Sequence, residues 1–207
     1  MYVAVAGNIG AGKSSLTRLL SGRYHLEPVY EAVDENPYLE DFYRDMRRYA
    51  FHSQMFFLAT RLRQHLRQVN PGRRVIQDRT VYEDAAVFAR HLHQQGVLDD
   101  RDHRSYHTMY EAVSAALRPP DLLIYLRADL ATLRRHIRQR GRGYEEGIED
   151  AYLLGLDALY EAWVASYDLS PVVVVPAAEL DFVHRDDDRD RLLELVERAG
   201  LVAPLVG

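Results

Sequence analysis

The stretch Gly7-Asn8-Ile9-Gly10-Ala11-Gly12-Lys13-Ser14 constrains this chain more than any other part of it. It has the spacing G-x-x-x-x-G-K-[ST]. It follows the apolar run Tyr2 to Ala6 and opens into Ser14 to Leu20, which reads as a helix closed by Gly22. That strand-to-helix context is what turns a glycine-rich pattern into a phosphate-binding loop. Glycines let the backbone turn and aim its N–H groups at phosphate oxygens, and the helix N-terminus adds partial positive charge. The lysine spans the outer phosphates of a triphosphate, and the serine hydroxyl offers an oxygen to Mg²⁺. Lys13 is the only lysine in the chain. A sequence that uses arginine everywhere else keeps one compact ammonium, where a broad guanidinium would not fit between phosphate oxygens.

Beyond this loop, apolar runs alternate with segments of helical spacing. Strands are predicted at Tyr2–Ala6, Leu26–Glu31, Arg74–Gln77, Leu122–Leu126 and Pro171–Val175. Helices are predicted over Tyr38–Val69, Thr80–Gln95, Asp102–Leu117, Leu130–Gln139, Ala151–Tyr167 and Asp188–Ala199. This order predicts an α/β fold of the P-loop NTPase kind, a five-stranded parallel sheet flanked by helices. Ligands in such sheets gather beyond the carboxyl ends of the strands, which singles out Gly7 onward, Glu31, Asp78 and Arg79.

At 207 residues the chain is expected to form a single domain over 1–207. No apolar run approaches the roughly 20 residues that span a bilayer, so no membrane partner is expected. With the P-loop beginning at Gly7, no signal peptide is expected before it. The absence of cysteine excludes disulfides and fits a reducing, cytoplasmic setting. A net charge of −5 gives no broad footprint for nucleic acid.

The acceptor of a phosphoryl group must be read from other residues. Glu31 ends a predicted strand and can face the crevice, where a carboxylate can take a proton from a hydroxyl acceptor. Asp34 and Glu35 compete for that role on position alone. Asp78-Arg79 follows the third strand, where a carboxylate can hold the metal through water and an arginine can neutralise developing charge. Arg140-Gly141-Arg142-Gly143, with Arg134, Arg135 and Arg138 before it, suits an arginine-rich lid over about 138–149 that closes on triphosphate.

Together these residues resemble the deoxyribonucleoside kinase family, and the bacterial deoxyadenosine/deoxyguanosine kinases in particular. Gly7 to Ser15 resembles the family's G-N-I-x-A-G-K-S/T, Glu31-Ala32-Val33 its E-P-V, and Asp78-Arg79-Thr80 its D/E-R-S. The resemblance implies ATP and Mg²⁺, with Gly7, Asn8, Ile9, Gly10, Ala11, Gly12, Lys13, Ser14 and Ser15 on the donor phosphates. It implies metal contacts at Ser14 and Asp78, and catalytic roles for Glu31 as general base, Arg79 and Lys13. It also implies lid contacts to ATP from Arg138, Arg140 and Arg142, and a donor-base loop at Asp181-Phe182. On the acceptor side it implies Tyr43 and Glu145 on the sugar 3′-hydroxyl, Gln54 on the base, and an Arg61–Asp84 pair beside the base edge. His136 stands where the family's lid usually has its first arginine, so that either Arg135 or Arg138 takes over or the lid holds the donor less tightly. A homodimer is implied as well. The segment Asp34 to Tyr43 and the charged Arg61–Asp84 pair point to a purine deoxynucleoside, with deoxycytidine as a side substrate.

Two rival readings share the P-loop. A nucleoside monophosphate kinase of the thymidylate type would need arginines for an acceptor phosphate rather than a carboxylate base. A non-catalytic nucleotide-binding module would have no need of Glu31, Asp78 and the arginine lid together.

Overall fold

The computed structural model describes residues 1–201. Strands β1 (Tyr2–Gly7), β2 (Glu27–Val29), β3 (Val75–Asp78), β4 (Leu122–Arg127) and β5 (Val172–Pro176) form one sheet in the order β2-β3-β1-β4-β5. Every pairing is parallel, with Val5 opposite Asp78 on one side of β1 and Ile124 on the other. The five-stranded parallel sheet expected from the alternation is therefore present, in the P-loop NTPase arrangement. The chain reverses direction across the sheet at β1, so the crevice at the carboxyl ends of β1 and β3 is the topological switch point.

The central strands are apolar because both faces are covered. Every residue of β1 is buried, and β4 is buried from Leu122 to Leu126. The edge strand β2 is shorter than the predicted Leu26–Glu31. It is only Glu27-Pro28-Val29, with Glu27 and Pro28 exposed, and a proline is tolerated there because an edge strand has one unpaired side. Glu31 accordingly lies two residues past the strand end, on the connection rather than in the sheet.

The helices are α1 (Lys13–Tyr24), α2 (Leu39–Arg44), α3 (Met46–Gln64), α4 (Val81–Glu83), α5 (Arg90–Gln94), α6 (Asp100–Ser114), α7 (Leu130–Arg140), α8 (Asp150–Ala165) and α9 (Asp186–Arg198). Helix α1 runs through Gly22 and ends where His25 takes a left-handed conformation at φ 52°, so the glycine is not the stop the sequence implied. The long helix predicted over Tyr38–Val69 is two helices. Asp45 leaves helical geometry (φ −145°, ψ 80°) and its carboxylate caps α3 by accepting from the Arg48 N–H at 3.2 Å. Helix α3 then widens into a π-turn over His65–Val69. A second wide turn, Asp84–Ala89, joins α4 to α5. Such turns hold an extra residue in the helical ladder and re-aim the side chains around it.

The main core is the sheet with the faces of α1, α8 and α9 packed on it, including Leu16, Leu20, Leu153, Tyr160, Leu192 and Val196. A second cluster under α3, α4 and α6 contains Leu58, Val81, Tyr82 and Tyr106. No helix among the described residues is long and apolar enough to cross a membrane.

Candidate active site

A cavity of about 720 Å³ opens at the carboxyl ends of the strands, from the P-loop past Glu31 to Gln54 and Phe57 on α3. At its floor the P-loop needs its glycines for steric reasons. Gly7, Gly10 and Gly12 all have positive φ, at 151°, 84° and 98°. A Cβ at Gly7 would lie 2.9 Å from the Leu126 carbonyl, and one at Gly10 would lie 2.7 Å from that of Leu133. Asn8 pins the loop from below. Its amide nitrogen donates to the Leu153 carbonyl at 2.9 Å and its Oδ1 accepts from the Ile9 N–H at 2.8 Å.

Lys13 Nζ curls over this loop and donates to the carbonyls of Gly7 and Asn8 at 2.9 and 3.0 Å. Burial and the neighbouring Arg79 cation lower its pKa to about 8. Ser14 Oγ donates to Asp78 Oδ2 at 2.5 Å. Asp78 is buried, which raises its pKa against the pull of Lys13, and its Oδ1 has no hydrogen-bond partner. The pair offers hard oxygens of the type Mg²⁺ takes beside phosphates, so these residues fit the implied metal.

The end of the cavity toward α3 holds an ionic chain, largely buried. Glu31 Oε1 accepts from Arg61 at 2.7 Å and Oε2 from Arg79 at 3.2 Å. Burial works against ionisation of Glu31, but Arg79, Arg61 and Lys13 outweigh it and bring its pKa down to about 2. Arg61 Nε lies 2.7 Å from Asp84 Oδ2, yet the two are misaligned and neither atom makes a hydrogen bond. Burial carries Asp84 up to about 7 despite that cation. Gln54 Oε1, also buried, has no partner. A nitrogen donor and two oxygen acceptors thus sit together at one end of the cavity, a set suited to a base edge. Arg79 reaches this chain from a left-handed backbone, φ 67°, with its guanidinium 4.2 Å above the Phe88 ring. A non-glycine residue held there is strained by about 1–3 kcal/mol, and such strain collects at functional sites. Of the competing carboxylates, Glu35 is exposed and faces Arg63 at 3.7 Å, and the side chain of Asp34 lies outside the described set.

The end of α7 and the segment after it line the third side. Glu145, 4% exposed, is gripped by Arg140 at 2.5 and 3.0 Å and approached by Arg142 at 3.6 Å. Tyr43 stacks on Tyr144 with centroids 5.7 Å apart and lines the cavity with Glu145. Arg138 is exposed and off the cavity wall, whereas Arg135, His136, Gln139 and Arg140 line it. The arginine on the wall ahead of Arg140 is therefore Arg135, not Arg138. On the opposite rim Phe182 lines the cavity next to Gly12. Asp181 is fixed by its own N–H to Asp188 at 3.1 Å and by His184 at 2.9 Å.

Glu83 was not singled out by its sequence position, and it holds the site from behind. It is fully buried. Oε1 accepts from the Thr80 N–H at 2.8 Å, closing a capping box on α4, and Oε2 accepts from the Tyr160 hydroxyl at 2.6 Å. The Gly7 N–H points at Oε2 from 3.5 Å. One carboxylate thereby joins the start of the P-loop, the Asp78-Arg79-Thr80 turn and α8. The spacing T-x-x-E is the legible signal. The links to Gly7 and Tyr160 are not, because they join residues 76 and 77 positions apart.

A family model for deoxynucleoside kinase matches residues 3–200. The deoxyadenosine/deoxycytidine kinase of Bacillus subtilis is 33% identical over 196 residues, covering 94% of this chain and 90% of its own length. The deoxyguanosine kinase of Lactobacillus johnsonii is 34% identical over 203 residues, covering 94% and 90%. The structure of deoxyadenosine kinase from M. mycoides with dCMP and dCDP superimposes with a TM-score of 0.84 at 32% identity, over 96% of this chain and all of that one. Neither the monophosphate-kinase reading nor the non-catalytic one finds support among these relatives. The chain is an enzyme and belongs to the deoxynucleoside kinase family.

Proposed function

We propose that this protein moves the γ-phosphoryl group of ATP to the 5′-hydroxyl of a purine deoxyribonucleoside, as a single domain acting in nucleotide salvage. The observation that carries this is Glu31 lining the same cavity as Lys13, held between Arg61 and Arg79. A carboxylate so placed serves a neutral hydroxyl. It would repel an acceptor phosphate.

In this reading the P-loop N–H groups and Lys13 hold the donor phosphates, and Arg135, Arg140 and Arg142 close over them from the lid. Ser14 and Asp78 would hold Mg²⁺, which when bound draws charge from the transferring phosphoryl group. Glu31 takes the proton of the 5′-hydroxyl and Arg79 steadies the charge beside it. Tyr43 and Glu145 hold the 3′-hydroxyl, while Gln54, Arg61 and Asp84 meet the base. Phe182 and Asp181 flank the donor base. The relatives act on deoxyadenosine, deoxyguanosine or deoxycytidine by name, which supports a purine acceptor with deoxycytidine second. A thymine methyl against the buried Arg61–Asp84 pair would leave those groups unpaired, at about 1–3 kcal/mol. The cysteine-free sequence fits a cytoplasmic setting, and a homodimer is the expected assembly, checked by light scattering.

The test is turnover of the four common deoxynucleosides with MgATP. Deoxyadenosine or deoxyguanosine should give the highest kcat/KM. Thymidine preferred over both overturns the purine assignment, and turnover of deoxynucleoside monophosphates alone overturns the 5′-hydroxyl acceptor assignment.

A further inference from the structure

Arg79 keeps its left-handed backbone because the two peptide planes that flank it are both fixed. Its own N–H donates to the Val5 carbonyl at 3.0 Å. The next N–H, that of Thr80, donates to Glu83 Oε1 at 2.8 Å. With both planes tied, φ stays at 67°, a value that a free turn would leave. The same carboxylate reaches the guanidinium by a second route. Glu83 Oε2 accepts from the Tyr160 hydroxyl at 2.6 Å. The Tyr160 ring meets Phe88 edge-on, with centroids 6.1 Å apart and planes at 84°. The Arg79 guanidinium lies 4.2 Å from the centroid of that Phe88 ring, whose π face attracts the cation. From this seat Arg79 Nε donates to Glu31 Oε2 at 3.2 Å. Glu83 itself is fully buried and off the cavity wall, so it acts on the site only through its neighbours.

We propose that Glu83 is a positioning residue of the reaction, setting Arg79 beside Glu31 through Thr80 on the backbone side and through Tyr160 and Phe88 on the side-chain side. The proposal rests on the kinase reading for the role of Arg79. A glutamate that only capped α4 would use Oε1 alone, since a capping box asks for one bond back to the N-cap N–H. Glu83 gives its second oxygen to Tyr160 on α8, with the Gly7 N–H facing the same oxygen from 3.5 Å. A buried carboxylate is stable only where donors meet it, and here one of those donors leads to each half of Arg79. Glutamine in its place keeps the size and one acceptor oxygen. With its amide nitrogen turned to one of the two donors, it accepts from Thr80 or from Tyr160 and not from both.

The experiment measures kcat and KM in the wild type, Glu83→Gln, Arg79→Lys and the double variant. Glu83→Gln should lower kcat by about tenfold and change KM for MgATP by less than about twofold, since the loss falls on Arg79. In the Arg79→Lys background the same substitution should lower kcat by less than about twofold, because the group it positions is already gone. A tenfold loss in both backgrounds would show that Glu83 supports the fold at large, and overturn the proposal. So would an unchanged kcat, with or without a raised KM for MgATP. A second measurement needs no substrate. The Nε–H resonance of Arg79, identified by its absence from the Arg79→Lys spectrum, should exchange with water about tenfold faster in Glu83→Gln than in the wild type. Equal exchange overturns the proposal, whereas absence of deoxynucleoside turnover in the wild type bears only on the acceptor assignment. If Glu83→Gln does not fold, Tyr160→Phe takes its place in both measurements with the same outcomes, since it removes only the hydroxyl and keeps the ring against Phe88.

Discussion

Both carboxylate oxygens of Glu31 are engaged, one by Arg61 and one by Arg79, and these cations hold its pKa at about 2. A general base works best with a pKa near the working pH. In the proposed role, Glu31 would regain basicity if one of these partners turned to substrate. Glu31→Gln should lower kcat by about 10²–10⁴ with a smaller change in KM; near-normal kcat would remove Glu31 from the role. Because its pKa is depressed, Glu31 remains ionised through the whole neutral range and adds no limb to the pH–rate profile there. Lys13 behaves in the opposite way. Its pKa of about 8 means the ammonium is complete below that pH and lost above it, so kcat/KM for ATP should fall as pH rises past 8. A profile flat to pH 10 would contradict this. The sequence pointed to Lys13 through a fixed motif and to Asp78 through its strand end, whereas position alone left Glu31 level with Asp34 and Glu35 and only the family resemblance chose it. It could not show that Glu31 is doubly paired, since Arg61 and Arg79 reach it from segments 30 and 48 residues away.

Elements differ in how far their own residues determine them. The strand, P-loop and first helix follow from one contiguous stretch, and the structure agrees with the reading there. The boundaries that failed are those where tertiary contacts decide. Gly22 sits inside α1 with open space around the place a Cβ would occupy, so nothing forces a stop. Asp45 interrupts a run of good helical periodicity because its side chain caps the next helix. The wide turn at Asp84–Ala89 leaves no mark on periodicity at all. Gly155 in α8 is the converse case. Alanine at a helix interior normally gains about 1 kcal/mol over glycine. Here the added Cβ would run into Cε1 of His91, which is itself buried. Overpacking costs about 1–3 kcal/mol, so Gly155→Ala should lower stability despite the better propensity, as measured by urea unfolding. A stabilised variant would show that His91 has room to move.

At the scale of the whole molecule the site is assembled from pieces far apart in the chain. The P-loop comes from the first strand, Gln54 and Arg61 from α3, Arg79 from the end of β3, the lid arginines from α7 and Phe182 from beyond β5. Glu83 ties two of these regions, the P-loop and the turn that carries Arg79, to α8, and its links to Gly7 and Tyr160 cross 76 and 77 residues. Composition and spacing predict which classes of residue meet; they are silent about which pairs do, because pairing is fixed by sheet order.

That order has a consequence for the chain as it is being made. β1 occupies the middle of the sheet, and its two neighbours are β3 and β4. On the ribosome it emerges first of the five strands and must wait, apolar on both faces, until Leu122 to Arg127 has left the exit tunnel. Pairing across such sequence distances is slow and leaves surfaces exposed to aggregation meanwhile. Nascent chains stalled before Leu122 should therefore be cut by protease through β1, and those stalled well beyond Arg127 should be protected. Equal protection in both would mean that the two-stranded edge of β1 with β3 suffices to hide it.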